Sequence, residues 1–321
     1  MIYYVRGIAV SFSIFFALYS ISSVAVWCAW RGVWRYGQRY SSERCADLLF
    51  VWRIVPFAFA GAITLAFALP SFLLLEPRAI DERMSGLSVV LGLCGIAVVL
   101  AGMWRAAAAL MKASRVVSRW SSGECVIESI PIRDGRDLVP VLRISGLAPP
   151  LTVSGILRPS MWLSRAAEFA LTEPELETAL RHEFAHVRRR DNLRRLILHL
   201  VAFPGMAQLE TAWREATEMA ADDAAVSSPS EALDLAAAMI KLTELISPHP
   251  PTELTAALVR SPADCLNARV RRLLAWPEQP LTQKSRLGYA MWVAAAVAAT
   301  LALTYGQLLV ELHAATECLV R

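Results

Sequence analysis

Four apolar runs, residues 8–30, 54–75, 87–104 and 287–309, constrain this chain more than any other feature. Crossing a hydrocarbon core about 30 Å thick takes roughly 20 helical residues, and each run is close to or beyond that length. Trp27, Trp30, Trp52, Trp104 and Trp292 lie near their ends, where an amphipathic ring favours the membrane interface. The fourth run is alanine-rich and carries Thr300, Thr304, Tyr305 and Gln307. With 56% hydrophobic residues, the chain is expected to be a mainly α membrane protein with four transmembrane helices.

Ser23-Val24-Ala25 has the small-x-small form of a signal-peptide cleavage site, but the apolar run continues to Trp30 and then meets Arg31 and Arg35. That flank reads as a stop-transfer segment of a retained span. Basic residues in short loops mark the cytoplasmic side. They cluster after the first run (Arg31, Arg35, Arg39, Arg44, Arg53) and after the third (Arg105, Lys112, Arg115, Arg119). The segment between the second and third runs balances Arg78 and Arg83 against Glu76, Asp81 and Glu82. The expected layout has the N-terminus outside and residues 1–104 as a three-span membrane region. Residues 105–286 form a cytoplasmic domain, 287–309 a fourth span and 310–321 a short external tail, in a bacterial-type inner membrane.

The net charge of +4 comes almost wholly from arginine, the lysines being Lys112, Lys241 and Lys284. Because the arginines gather beside apolar runs, they express topology, and no direct nucleic-acid binding is expected. Cys28, Cys45, Cys94, Cys125, Cys265 and Cys318 form no C-x-x-C pair, which argues against a disulfide framework and against a cysteine zinc site.

Within the cytoplasmic segment, residues 105–120 extend the third span as a basic helix. Residues 125–130, 139–144 and 151–163 read as short strands, so a small sheet precedes the helices. Thr172-Glu173-Pro174-Glu175 is a capping box that starts a helix running to about Arg190. Further helices are expected over 193–203, 209–226, from a cap at Ser230 to 246, and over 267–274.

The chemistry sits in His182-Glu183-Phe184-Ala185-His186. At 3.6 residues per turn the two histidines share one helix face, as an H-E-x-x-H zinc site requires. Glu183 lies beside the first ligand, placed to take a proton from the attacking water. Two histidines on a polar helix face also arise by chance, but only five occur here, and this pair encloses a glutamate in a capped helix. A catalytic zinc usually takes three protein ligands. Glu215, Glu218 and Asp222 fall on one side of the 209–226 helix, so Glu218 or Glu215 can supply the third, with Asp222 orienting an imidazole. Without the histidines, that acidic face would read as a salt-bridged surface, and Asp223 points away as a solvated charge. No tyrosine lies between Tyr40 and Tyr289, which leaves His199, nearby arginines and the metal to stabilise an oxyanion. A lone histidine in an apolar run such as 196–201 is more often a buried core residue than a catalyst.

Together, Gly155-Ile156-Leu157-Arg158-Pro159, the His182 to His186 motif with Arg188-Arg189-Arg190-Asp191 after it, Glu218 to Asp222, and Arg269 resemble the zinc-peptidase domain of the β-lactam-sensing signal-transducer family (BlaR/MecR type). The resemblance covers the three leading spans and nearly the whole middle segment. It implies an α+β zincin-like (gluzincin-type) metallopeptidase domain binding Zn2+ through His182, His186 and Glu218, with Glu183 as base and Asp222 in support. The implied substrate is a cytoplasmic protein: a DNA-binding transcriptional repressor, the peptidase itself, or both. The antibiotic-sensing members carry an external penicillin-binding domain with a serine three residues before a lysine. Here Ala109, Ala238 and Leu281 hold that place before Lys112, Lys241 and Lys284. A signal is therefore expected from a separate sensor partner, from another stimulus, or from nothing at all.

A site-two type protease would bury its motif in lipid, which Arg181 and Arg188 to Arg190 make costly. Two alternatives share the motif or its metal: a heat-shock or CAAX type membrane zinc protease in quality control, and a non-catalytic scaffold that keeps zinc for structure. A peptide substrate is expected to pair in extended form with an edge strand near residues 151–157.

Overall fold

The computed structural model describes residues 2–75, 85–121, 125–130, 139–144, 149–245, 256–257 and 263–276, with positions 307 and 311. The fourth apolar run and the tail beyond it lie, those two positions apart, outside the described residues.

Three helical segments are long and apolar enough to cross a membrane. α1 is Ile2–Gly37. α2, Ser42–Ile63, is capped by Ser41 and passes through a π turn, Thr64–Ala68, into α3, Leu69–Leu75. In that turn the Leu69 N–H reaches back to the Thr64 carbonyl, just before Pro70, which brings a ring and no N–H. Widening the ladder accommodates such a residue without breaking the span. α4, Gly86–Ser121, continues the third span without interruption through the basic stretch expected to extend it.

The α1–α4 contact depends on glycine. A Cβ on Gly92 would stand 2.7 Å from the Ala9 carbonyl oxygen, and one on Gly95 2.5 Å from that of Phe12. Ser13 Oγ donates to the Ser88 carbonyl at 3.0 Å across the same seam. Close backbone approach and small polar side chains are what holds helices together where no water drives association.

A five-stranded sheet follows: β1 (Cys125–Ile130), β2 (Val139–Ile144), β3 (Leu151–Ser154), β4 (Ser160–Ser164) and β5 (Ala256–Ala257), in the order β1-β2-β4-β3-β5. Only the β2–β4 pair is parallel. The single strand expected over 151–163 is a hairpin. Gly155 turns the chain at φ +93°, where a side chain would collide with the Arg158 carbonyl, and Pro159 has no N–H for the ladder. Nor is β3 an edge at Thr152 and Val153. Ala257 and Ala256 pair with them, so the edge expected to receive a peptide is covered by the chain itself.

Six helices accompany this sheet among the described residues. α5 is Arg165–Ala170, α6 Glu173–Arg188, α7 Asp191–Leu200, α8 Ala207–Ala225, α9 Pro229–Glu244 and α10 Ala263–Leu274. α5 and α6 lie against its strands, α7 and α8 against the membrane helices, and α10 against α9. The capping box at Thr172 and Glu175 forms as expected, and Lys241 of α9 also grips Glu175 at 2.7 Å. α9 starts earlier than expected, because Ser228 rather than Ser230 caps it, with Pro229 as a pre-set first residue.

Two cores result. One joins Val141, Leu151, Val153, Met161 and Leu163 of the sheet to Phe184 of α6 and to Leu235 and Met239 of α9. The other crosses the expected domain boundary: Met206, Leu209 and Trp213 pack with Val26 of α1 and with Cys45, Ala46 and Leu49 of α2. The membrane helices and the C-terminal helices therefore share one interior.

Candidate metal centre

α6 places His182 and His186 one turn apart, both buried, with their rings at 82° and their Nε2 atoms 3.3 Å apart. Each ring has a carboxylate behind it. His186 Nδ1 lies 2.7 Å from Asp191 Oδ2, and His182 Nδ1 lies 3.0 Å from Asp222 Oδ1. A carboxylate at Nδ1 holds the proton there and leaves Nε2 with a lone pair. In its neutral form each ring therefore turns an Nε2 lone pair toward the other, which suits a cation between them.

Glu218 completes the set. Its Oε2 is 3.6 Å from His182 Nε2 and its Oε1 3.8 Å from His186 Nε2, and the three ligand atoms all lie within 4.8 Å of one another. Donors held about 2.0–2.2 Å from a tetrahedral ion stand roughly 3.3–3.6 Å apart, so the residues fit a zinc-sized ion with little movement. Of the two candidates for third ligand, Glu218 is the one brought to the histidines. Glu215 is half-buried and lies outside the cluster.

Arg269 fixes the carboxylates. Fully buried, it donates from Nε and Nη2 to Asp222 at 2.9 and 2.6 Å, and from Nη1 to Glu218 Oε2 at 3.0 Å. Arg195 of α7 stands 3.7 Å from Glu218 Oε1. Burial alone would raise both acids. The charges of His186 and Arg269 outweigh it for Glu218, which is held well below the usual carboxylate range, and Arg269 outweighs it for Asp222, which falls to about 2. Burial likewise opposes protonation of His182, but Asp222 and Glu218 keep its pKa above the ordinary value.

Glu183 is different. It is fully buried, neither carboxylate oxygen has a hydrogen-bond partner among the described residues, and burial pushes its pKa up to about 7 against the pull of His186. An unpaired acid is expensive to bury. His199, by contrast, is half-buried in the last turn of α7 and outside the cluster. Asp223 pairs with Arg272 of α10, away from the ligands.

Asp191 had no role assigned from the sequence. The signal was an acid five residues after His186, just past the end of α6. Arg190 turns that corner in the left-handed region at φ 54°, rare for a residue with a side chain, and so brings Asp191 back against His186. Asn192, next along, donates to the Gly155 carbonyl at 3.1 Å and ties the β3–β4 turn to the same corner. Partners behind a ligand histidine are typically worth about 10–100-fold in metal affinity. Asp191→Asn is expected to weaken metal binding within that range in a chelator competition, while Glu215→Ala leaves it unchanged.

A capped H-E-x-x-H helix, a buried His-His-Glu triplet and three membrane-length helices in one chain define a membrane-associated metallopeptidase class. The family model of the BlaR1 peptidase M56 matches residues 78–273, and the chain belongs to that family. No curated protein matches the chain.

Proposed function

We propose that this chain is an integral-membrane zinc metalloendopeptidase that hydrolyses peptide bonds of a cytoplasmic protein in signal transduction. The carrying observation is the pairing of a pre-assembled His182–His186–Glu218 triplet with an adjacent buried, unpaired Glu183. Two imidazoles and one carboxylate suit zinc and leave a coordination position for chemistry, as catalytic sites do. Zinc bound there supplies Lewis acidity, polarising a carbonyl and lowering the pKa of water to about 7. Glu183 accepts the proton of the attacking water and delivers it to the leaving amine. Asp191, Asp222 and Arg269 hold the ligand side chains in place throughout.

The basic flanks at Arg31 to Arg53 and Arg105 to Arg119 support a cytoplasmic catalytic face in a bacterial-type inner membrane. Family membership supports a transcriptional repressor, the peptidase itself, or both, as substrate, and Ala109, Ala238 and Leu281, where a serine would precede each lysine, support a separate sensor partner or another stimulus as the source of any signal.

Cells expressing wild type or Glu183→Ala would be compared for membrane and cytosolic protein fragments. Fragments present only with wild type are expected. Identical patterns, or a reporter placing residues 149–245 on the outer side, would overturn the proposal.

A further inference from the structure

The carboxylates of the metal centre stand on two consecutive helices. Asp191, behind His186, is in the first turn of α7, and Glu218 and Asp222 are on α8. How these groups converge depends on how α7 and α8 are set against each other. That setting is made at residues 201–206, which join them, about 15 Å along α7 from Asp191 and about 17 Å along α8 from Glu218.

This junction is held from the membrane helices. Arg53 of α2, buried to 1% exposure, donates from Nη2 to the Val201 carbonyl at 2.5 Å. The same guanidinium reaches Glu210 Oε1, in the first turn of α8, from Nε and Nη2, both at 3.1 Å. One rigid fork therefore spans the end of α7 and the start of α8. A cation at the C-terminal end of α7 also complements the carbonyls left unpaired there. Tyr19 of α1 adds a hydrogen bond to the Ala202 carbonyl at 3.0 Å, and Gly102 of α4 abuts the Leu200 carbonyl, where a side chain would not fit. At the other end of α7, Asp47 of α2 pairs with Arg194 at 2.6 Å and with Arg189 at 3.2 Å, and Arg189 in turn stands 3.8 Å from Asp191. α2 thus grips α7 at both ends.

We infer that Arg53 is a positioning residue for the metal centre. By tying the Val201 carbonyl to Glu210, it fixes the spacing of the helices that carry Asp191 and Glu218, and so links the second membrane helix to the geometry of the ligands. Neither the H-E-x-x-H motif nor the acidic helix points to this residue. It enters only through the junction. The inference rests on the metallopeptidase reading.

The test uses full-length protein in nanodiscs, with Zn2+ affinity read by chelator competition and ligand geometry read by the visible absorption of Co2+. Arg53→Lys keeps the charge but loses the fork, and Glu210→Gln is a milder cut of the same link should the first variant fail to fold. Each is expected to weaken Zn2+ binding by roughly tenfold, the low end for groups behind the ligands, and to shift the Co2+ bands. Val10→Ala, which loosens the bundle away from the junction, is expected to lower the melting midpoint and leave both readouts unchanged. Wild-type affinity and spectrum in the junction variants, or an equal shift in Val10→Ala, would overturn the inference. A wild type that binds neither ion would overturn the metallopeptidase reading itself.

Discussion

Purified Glu183→Gln protein is expected to retain its zinc and to lose at least about a thousandfold in peptidase rate. Positioned proton transfer contributes roughly 10²–10⁴-fold, and an amide of the same shape cannot accept the proton of the attacking water. Glu183 forms no hydrogen bond that the substitution would break among the described residues, and it is not part of the His182–His186–Glu218 triplet. The metal should therefore stay bound. Replacing an unpaired buried acid by a neutral amide is also expected to leave the melting midpoint at or above that of wild type, since ionising the acid at that site is opposed by burial. Zinc content, turnover of a cleavable protein and thermal melting, measured side by side, check all three. Loss of zinc together with activity would assign Glu183 to structure.

The largest effect on stability is expected at Arg269. Its side chain is fully buried and makes three hydrogen bonds to two acids that have no exposure of consequence. Removing one partner of a buried ionic network costs about 3–5 kcal/mol, because the charges left behind are shielded from water and lose their strongest counter-ion. Arg269→Met is therefore expected to unfold at a much lower temperature in metal-free buffer. Added zinc should recover part of the loss, since a ligand that binds only the folded state stabilises it and its charge falls beside Glu218. Arg269→Lys should fall between the two, keeping a charge but unable to hold Asp222 and Glu218 with one planar group. Melting curves with and without zinc decide it, and an Arg269→Met protein as stable as wild type without metal would show that the acids find other partners.

The metal helix was the most legible part of the sequence, because its start signal, its spacing and its chemistry are all local. Thr172 and Glu175 set the first turn, and i, i+4 spacing alone put His182 and His186 on one face. Choosing Glu218 over Glu215 was harder, since both lie on the same side of α8 and only the approach of α6 separates them. Arg269 appeared as a motif residue with no task, because its partners are 47 and 51 residues away. Asp191 and Arg53 were invisible as functional residues for a similar reason. One depends on a left-handed corner at Arg190, the other on how a membrane helix docks on a loop. The hairpin at Gly155 to Pro159 merged into one strand because both flanks are apolar, and β5 is too short to leave any periodic signal.

The shared interior around Trp213 ties the helices of the metal centre to the first two membrane helices. Val26, Cys45, Ala46 and Leu49 wrap that indole and its neighbours from the first two membrane helices. A cut freeing the catalytic half from them would bare an oily face and remove Arg53 from the loop before α8. Separating these two helices from α7 and α8 is therefore expected to loosen the metal centre together with the fold.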